Sequence, residues 1–150
     1  MLTLHAADEV RYVWEDDAEP VKDGAVAVDG IRIAAVGPLA ELEERFPGAR
    51  VRRWPGVLGP ARIHPGPLPD APSPRERVHA VLKSGAVAVL EEHIESPELR
   101  AAAERNDVVV LARARRTALV ELGRADLAVF DAAGVCIATV CAGRLVHRRR

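Results

Sequence analysis

Residues 50–69 read Arg50-Val51-Arg52-Arg53-Trp54-Pro55-Gly56-Val57-Leu58-Gly59-Pro60-Ala61-Arg62-Ile63-His64-Pro65-Gly66-Pro67-Leu68-Pro69. Val51 and Trp54 among the arginines predict a strand. Pro55-Gly56 predicts a turn, and Val57 and Leu58 continue beyond it as a short apolar run. After Pro60 the prolines recur too densely for a helix or a central strand, so an irregular coil is expected. Residues upstream of the stretch have the pattern of hairpins. Those downstream alternate helices with fully apolar strands. The stretch is therefore the hinge between two kinds of architecture.

Composition sets the outer bounds. The chain has 150 residues, 49% of them hydrophobic, enough for one substantial core. A formal net charge of -1 with 29% charged residues gives no global electrostatic footprint for nucleic acid, and no such partner is expected. The basic run Arg148-Arg149-Arg150 is expected to be a solvated tail. No apolar run approaches the roughly 20 residues that span a bilayer, and the first residues lack a signal-peptide pattern, so no membrane association is expected. Cys136 and Cys141 would face opposite sides of a strand, which argues against a bond between them and for a reducing cytoplasm.

Upstream of the hinge, residues 2–6 and 10–14 are expected as strands with an Asp8-Glu9 turn between them. Glu15-Asp16-Asp17 before Pro20 reads as a loop. Ala25-Val26-Ala27-Val28 and Ile31-Arg32-Ile33-Ala34-Ala35-Val36 flank Asp29-Gly30, the signature of a hairpin with a type I′ turn. Gly37-Pro38 stops the second run, and a short helix over 39–45 places Leu39 and Leu42 on one face. Downstream, Ser73-Pro74 caps a helix to Lys83, and Ser96-Pro97 caps another to about Arg105. Residues 86–90 and 108–112 are continuous apolar runs, as expected of parallel strands buried on both faces. The order strand, helix, strand then implies a βαβ unit. The last third (Leu127 to Phe130, Val135 to Val140, Arg144 to His147) reads as closing β-strands with turns at Ala133-Gly134 and Ala142-Gly143.

The sequence of hairpin, Gly30-Ile31-Arg32-Ile33-Ala34-Ala35-Val36-Gly37-Pro38, short helix, strand and Pro55-Gly56-Val57-Leu58 resembles the N-terminal part of bacterial members of the amidohydrolase superfamily, in the imidazolonepropionase and aminodeoxyfutalosine deaminase branch. The closing strands from Ala125 resemble the C-terminal part of the same enzymes. Ser84-Gly85-Ala86-Val87-Ala88-Val89 resembles their second barrel strand, with alanine and valine in place of threonines. The resemblance implies an α+β fold, a composite β-sandwich built from both chain ends (residues 1–56 and 124–150). Residues 57–123 would be a small βαβ remnant of a (β/α)8 barrel, which when complete takes about 250 residues. Leu127, Val129, Ile137 and Val140 are then expected to pack on Val26, Val28, Ile31 and Ile33. Only two apolar barrel strands are expected to survive, leaving an open edge that a second copy would cover in a homodimer.

In the family, a His-x-His pair ends the first barrel strand and holds the catalytic metal. Here the corresponding positions fall near Gly66 and Leu68, and His64 stands alone. Among the five histidines, His5, His64, His79, His93 and His147, none lies two residues from another. His79 is expected on a helix surface, and Asp126 and Asp131 read as turn residues. The residues worth watching as a ligand site are His64, as the lone histidine near those positions, and Glu91, Glu92 and His93, which end an apolar strand where α/β folds place ligands. No catalytic residue and no cofactor is expected. The resemblance implies a binding or assembly module that has lost metal-dependent catalysis. The alternatives are a small hydrolase of non-peptide C–N bonds, with Zn or Fe held by His64, His93 and a carboxylate, and an accessory subunit of an amidohydrolase-pathway enzyme.

Overall fold

The computed structural model describes residues 2–15 and 19–149. Strands β1 (Leu2–Val10), β2 (Val21–Asp29), β3 (Arg32–Pro38) and β4 (Arg50–Pro60) come from the N-terminal third, with helix α1 (Leu39–Arg45) between the last two. Strands β8 (Leu127–Phe130), β9 (Cys136–Cys141) and β10 (Arg144–Arg148) come from the other end. All seven form one sheet in the order β10-β9-β8-β4-β1-β2-β3. The seam between the two ends is the antiparallel pairing of β4 with β8, from Val57 opposite Phe130 to Pro60 opposite Leu127.

The sheet folds over on itself, and alternation along each strand decides what lies inside. Val26, Val28 and Ile33 share one buried cluster with Leu127, Val129 and Val140, and Ile137 is packed against it. The two chain ends thus enclose a core that neither buries alone, as expected of the composite β-domain. The free edge of β3 is closed by the segment before β8. Ile33 N donates to Gly123 O (2.9 Å), Leu122 N to Ile33 O (2.8 Å) and Ala125 N to Ile31 O (2.7 Å). On the opposite face α1 sets Leu39 and Leu42 over Leu4, Ala6, Ala25, Ala27 and Ala35.

The middle of the chain adds a second, parallel sheet of β5 (Arg62–Ile63), β6 (Ala86–Leu90) and β7 (Val109–Leu111), in that order. Helix α2 (Pro74–Lys83) joins β5 to β6, and α3 (Pro97–Arg105) joins β6 to β7. Ser73 and Ser96 cap them by accepting from Glu76 N (3.2 Å) and Leu99 N (3.1 Å). Val78, Val81 and Leu82 of α2 and Leu99, Ala102 and Ala103 of α3 pack with Val87 and Val89, and with Ala128 and Phe130 on the back of β8. Thr139, wholly buried, donates from Oγ1 to Leu82 O at 2.7 Å and ties β9 to the end of α2. The parallel sheet is therefore fastened to the outer face of the composite sheet.

Several local expectations are corrected. β1 is one nine-residue strand, not two with a turn at Asp8-Glu9. It pairs with β2 on one side and β4 on the other, and the irregularity between Ala7 and Glu9 is taken up as a bulge against β4. Pro55-Gly56 is the facing half of that bulge and not a turn, so β4 runs unbroken through Gly56. Gly56 has φ 108, which a side chain would resist, and its N–H donates to the Asp8 carboxylate at 2.8 Å. The β2–β3 hairpin loop is Gly30-Ile31 between paired Asp29 and Arg32, with only Gly30 at positive φ. One positive angle at the first loop position is the pattern of a type II′ turn, not I′. Ile31, as the second loop residue, is 52% exposed and does not join the core.

The pair of positive angles of a type I′ turn occurs instead at Ala142 (φ 50) and Gly143 (φ 80), between β9 and β10. Cys136 and Cys141 share a cluster, because the register shift between β8 and β9 changes which face the strand presents. Both are free thiols. The parallel sheet has three strands rather than two, since Arg62–Ile63 adds to β6. Arg148 ends β10, paired with Ala138, and Arg149 N donates to Ile137 O (2.9 Å), so the basic run is not simply a tail. Asp16, Asp17 and Arg150 lie outside the described residues.

Candidate functional site

The C-terminal ends of β5 and β6 bring the four watched residues to one rim. His64 follows β5 directly, and its N–H donates to Ala88 O at 2.8 Å, extending the ladder by one residue. Its ring Nδ1 lies 3.1 Å from Gly66 O and is engaged by its own loop. Glu91–His93 is a 3₁₀ turn at the end of β6. Glu91 pairs with Arg100 of α3. His93 Nε2 is 4.0 Å from Glu92 Oε1, an ion pair only when the imidazole is protonated. Neither Gly66 nor Leu68, near which the resemblance implies a histidine pair, is a metal ligand. Leu68 is 3% exposed and packs in the cluster under α2, while Arg77 donates to the carbonyls of Leu68 (3.1 Å) and Pro69 (3.2 Å) and anchors the coil.

These donors do not fit a catalytic Zn or Fe, which needs at least three protein ligands around an open position. His64 and Glu91 are held by other partners, and among the described residues no three His, Cys, Asp or Glu side chains come together. The remaining histidines have structural environments. His79 is exposed on α2. His147 Nε2 lies 3.3 Å from Cys136 O. His5 is 4% exposed and stacks on Trp54, whose Nε1–H donates to His5 Nδ1 at 3.3 Å. Burial, with a smaller contribution from nearby Arg52, pushes His5 down to about 4, so it is neutral at pH 7. Burial pushes the Cys141 thiol up to about 11, which removes it as a nucleophile. Asp126 and Asp131 do turn chemistry: Asp126 accepts from Ala142 N, and Asp131 from Ala133 N and Val135 N, all at 2.9 Å.

A different constellation stands beside β5, at residues that no motif in the sequence marks. The Arg62 guanidinium lies 4.1 Å from the centre of the Phe130 ring and 4.9 Å from that of Trp14. The rings meet edge to face at 5.4 Å, and Trp14 Nε1 donates to Pro60 O at 2.6 Å. Two glycines make the room. A Cβ on Gly59 would come within 2.5 Å of the Trp14 ring, and one on Gly85 within 2.6 Å of Phe130. Arg62 fronts a cleft of about 330 Å³. Ile63, Pro65 and Leu90 give it an apolar lining, and Glu15, Arg115 and Arg116 supply its other charged groups. Arg116 reaches Glu15 at 3.5 Å. The only sequence signal was the recurrence of small residues beside apolar strands, and that does not announce which rings fill the space.

The architecture is mixed α+β, a composite β-domain drawn from both chain ends and joined to a small parallel sheet with two helices. Within it, residues 24–49 (most of the β2–β3 hairpin and α1) match the family model described as "Imidazolonepropionase-like composite domain, bacteria". The fold likeness reaches across 73% of the chain. It extends to an adenosine deaminase from Xanthomonas campestris with bound zinc (21% identity, 33% of that chain, TM-score 0.55). Helicobacter pylori aminofutalosine deaminase (19%, 32% of that chain, 0.50) and E. coli guanine deaminase (14%, 35% of that chain, 0.57) are similar over the same share. The chain spans about a third of the length of these structures. No curated protein matches it.

Proposed function

We propose that this chain is an amidohydrolase-like protein that has given up metal-dependent catalysis and serves as a binding or assembly module in the cytoplasm. The observation that carries this reading is that the strand-end side chains are already engaged: His64 Nδ1 lies 3.1 Å from Gly66 O, and Glu91 pairs with Arg100 of α3. Leu68, near which the resemblance would put the second histidine, is buried, and the coil bearing it is pinned to α2 by Arg77. β7 has no strand beyond it in the three-stranded sheet, and Val109, Val110 and Leu111 are half-buried. That edge supports assembly, with a second copy as the partner. Elemental analysis of protein purified without chelator tests the reading. Substoichiometric Zn and Fe are expected. One tightly held metal per chain, lost in His64→Ala or His93→Ala, would overturn it in favour of a hydrolase of non-peptide C–N bonds.

A further inference from the structure

We propose that the cleft beside β5 binds a small molecule carrying a carboxylate on an apolar body, with Arg62 as the residue that recognises the carboxylate. The inference rests on the binding-module reading and names the ligand class of that module. A guanidinium presents a planar fork of N–H donors that matches a carboxylate. The Arg62 guanidinium carbon lies over both Phe130 and Trp14, and because those rings stand nearly perpendicular it can lie flat on at most one of them. The rings are themselves fixed by each other, by Pro60 O and by the space at Gly59 and Gly85, so the guanidinium is confined to one place before any ligand arrives, which lowers the ordering cost of binding. Among the described residues no carboxylate lies within ion-pair distance of Arg62 or Arg115, although both are exposed. Elsewhere in the molecule arginines find such partners, as Arg124 does with Asp126 and Arg144 with Asp107. Ile63, Pro65 and Leu90 offer the apolar body a wall, and a volume of about 330 Å³ suits a ligand of few atoms.

The test is titration of the full-length chain with benzoate, followed by calorimetry and by the amide resonances of Ile63 and Leu90 and the Nε resonance of Arg62. Benzamide and phenyl phosphate serve as comparison ligands, and metal content is measured on the same sample. Saturable shifts at these three positions are expected with benzoate and not with benzamide. Arg62→Lys, which keeps the charge and loses the fork, should weaken benzoate about tenfold. Arg115→Ala, at an exposed position, should weaken it several-fold without altering the melt. No saturable shift with benzoate, equal binding of benzamide, tighter binding of phenyl phosphate, or full affinity in Arg62→Lys would each overturn the proposal. If the protein fails with benzoate but is metal-free, the non-catalytic reading stands and only the ligand assignment falls. If a stoichiometric metal is present, that reading falls, while the benzoate titration still decides the role of Arg62.

Discussion

Deleting residues 124–150 should unfold the N-terminal half as well as removing the last three strands. β8 is the neighbour of β4 across the seam, so its loss strips β4 of a partner from Val57 to Pro60. It also uncovers the core shared by the two ends. Leu127, Val129 and Val140 are each at most 3% exposed, and they face Val26, Val28, Ile33 and Leu58. At roughly 1.5–3 kcal/mol per buried large side chain, those three alone account for about 5–9 kcal/mol. The total stability of a domain is about 5–15 kcal/mol, so the truncated chain falls to the edge of folding or below it. Far-UV circular dichroism with a thermal melt reads the outcome. The expected result is loss of strand signal and no cooperative transition. A truncated chain that keeps its sheet content and melts cooperatively would refute the shared core. A milder version is Leu127→Ala, expected to cost about 2–5 kcal/mol in urea unfolding.

Other outcomes rest on single contacts. His5 is neutral in the fold with its value near 4, against 6.5 when unfolded, so only the unfolded chain takes up the proton in that window. Stability should hold above about pH 6.5 and fall by about 3 kcal/mol as pH drops towards 4. Urea midpoints across that range check this, and an unchanged pH dependence in His5→Gln would show that another group is responsible. Gly59→Ala puts a methyl into the Trp14 ring and should cost about 1–3 kcal/mol while shifting tryptophan fluorescence. A wild-type spectrum would mean Trp14 moves aside at little cost. Light scattering should give twice the chain mass if the β7 edge pairs with a second copy, and Val109→Lys should lower it; a monomer at tens of micromolar removes the homodimer.

The legible part of the sequence was local. The Ser73 and Ser96 caps, the helix over 39–45 and the apolar run 86–90 each carry their signal within a few residues, and all stand as expected. Pro55-Gly56 misled because a proline followed by a glycine has the composition of a turn. Its conformation here is decided by pairing with β1 and β8, strands drawn from opposite ends of the chain. Arg62–Ile63 was invisible as a strand because two residues between prolines have no period to read; β6 supplies the template. Glu91, Glu92 and His93 were expected at the end of an apolar strand and stand there, whereas His64 was expected in coil and follows a strand; proximity in the fold did not make the four a cluster. The Arg62 array needed three segments, around positions 14, 62 and 130, and no pattern along the chain joins them.

The same packing explains how so small a parallel sheet is held. In a closed barrel each strand is protected by two neighbours and by helices outside. Here β6 has both neighbours, β5 and β7, and every one of its five residues is buried. The helices α2 and α3 cover Val87 and Val89 much as barrel helices do. The rest of its cover comes from the composite sheet. Phe130 and Ala128 on the back of β8 extend the same cluster, and Thr139 fastens it through Leu82 O. That use of β8 and β9 is possible because both their faces are apolar, one for each core. The segment leaving β7 then returns past Leu90 and inserts Leu119 into the core of the folded sheet, with its N–H donating to Tyr12 O at 2.8 Å. Residues 114–117 consequently stand opposite β5 rather than far from it, and this return path is what creates the cleft in front of Arg62. The cover of the parallel sheet and the candidate binding site thus have one structural cause.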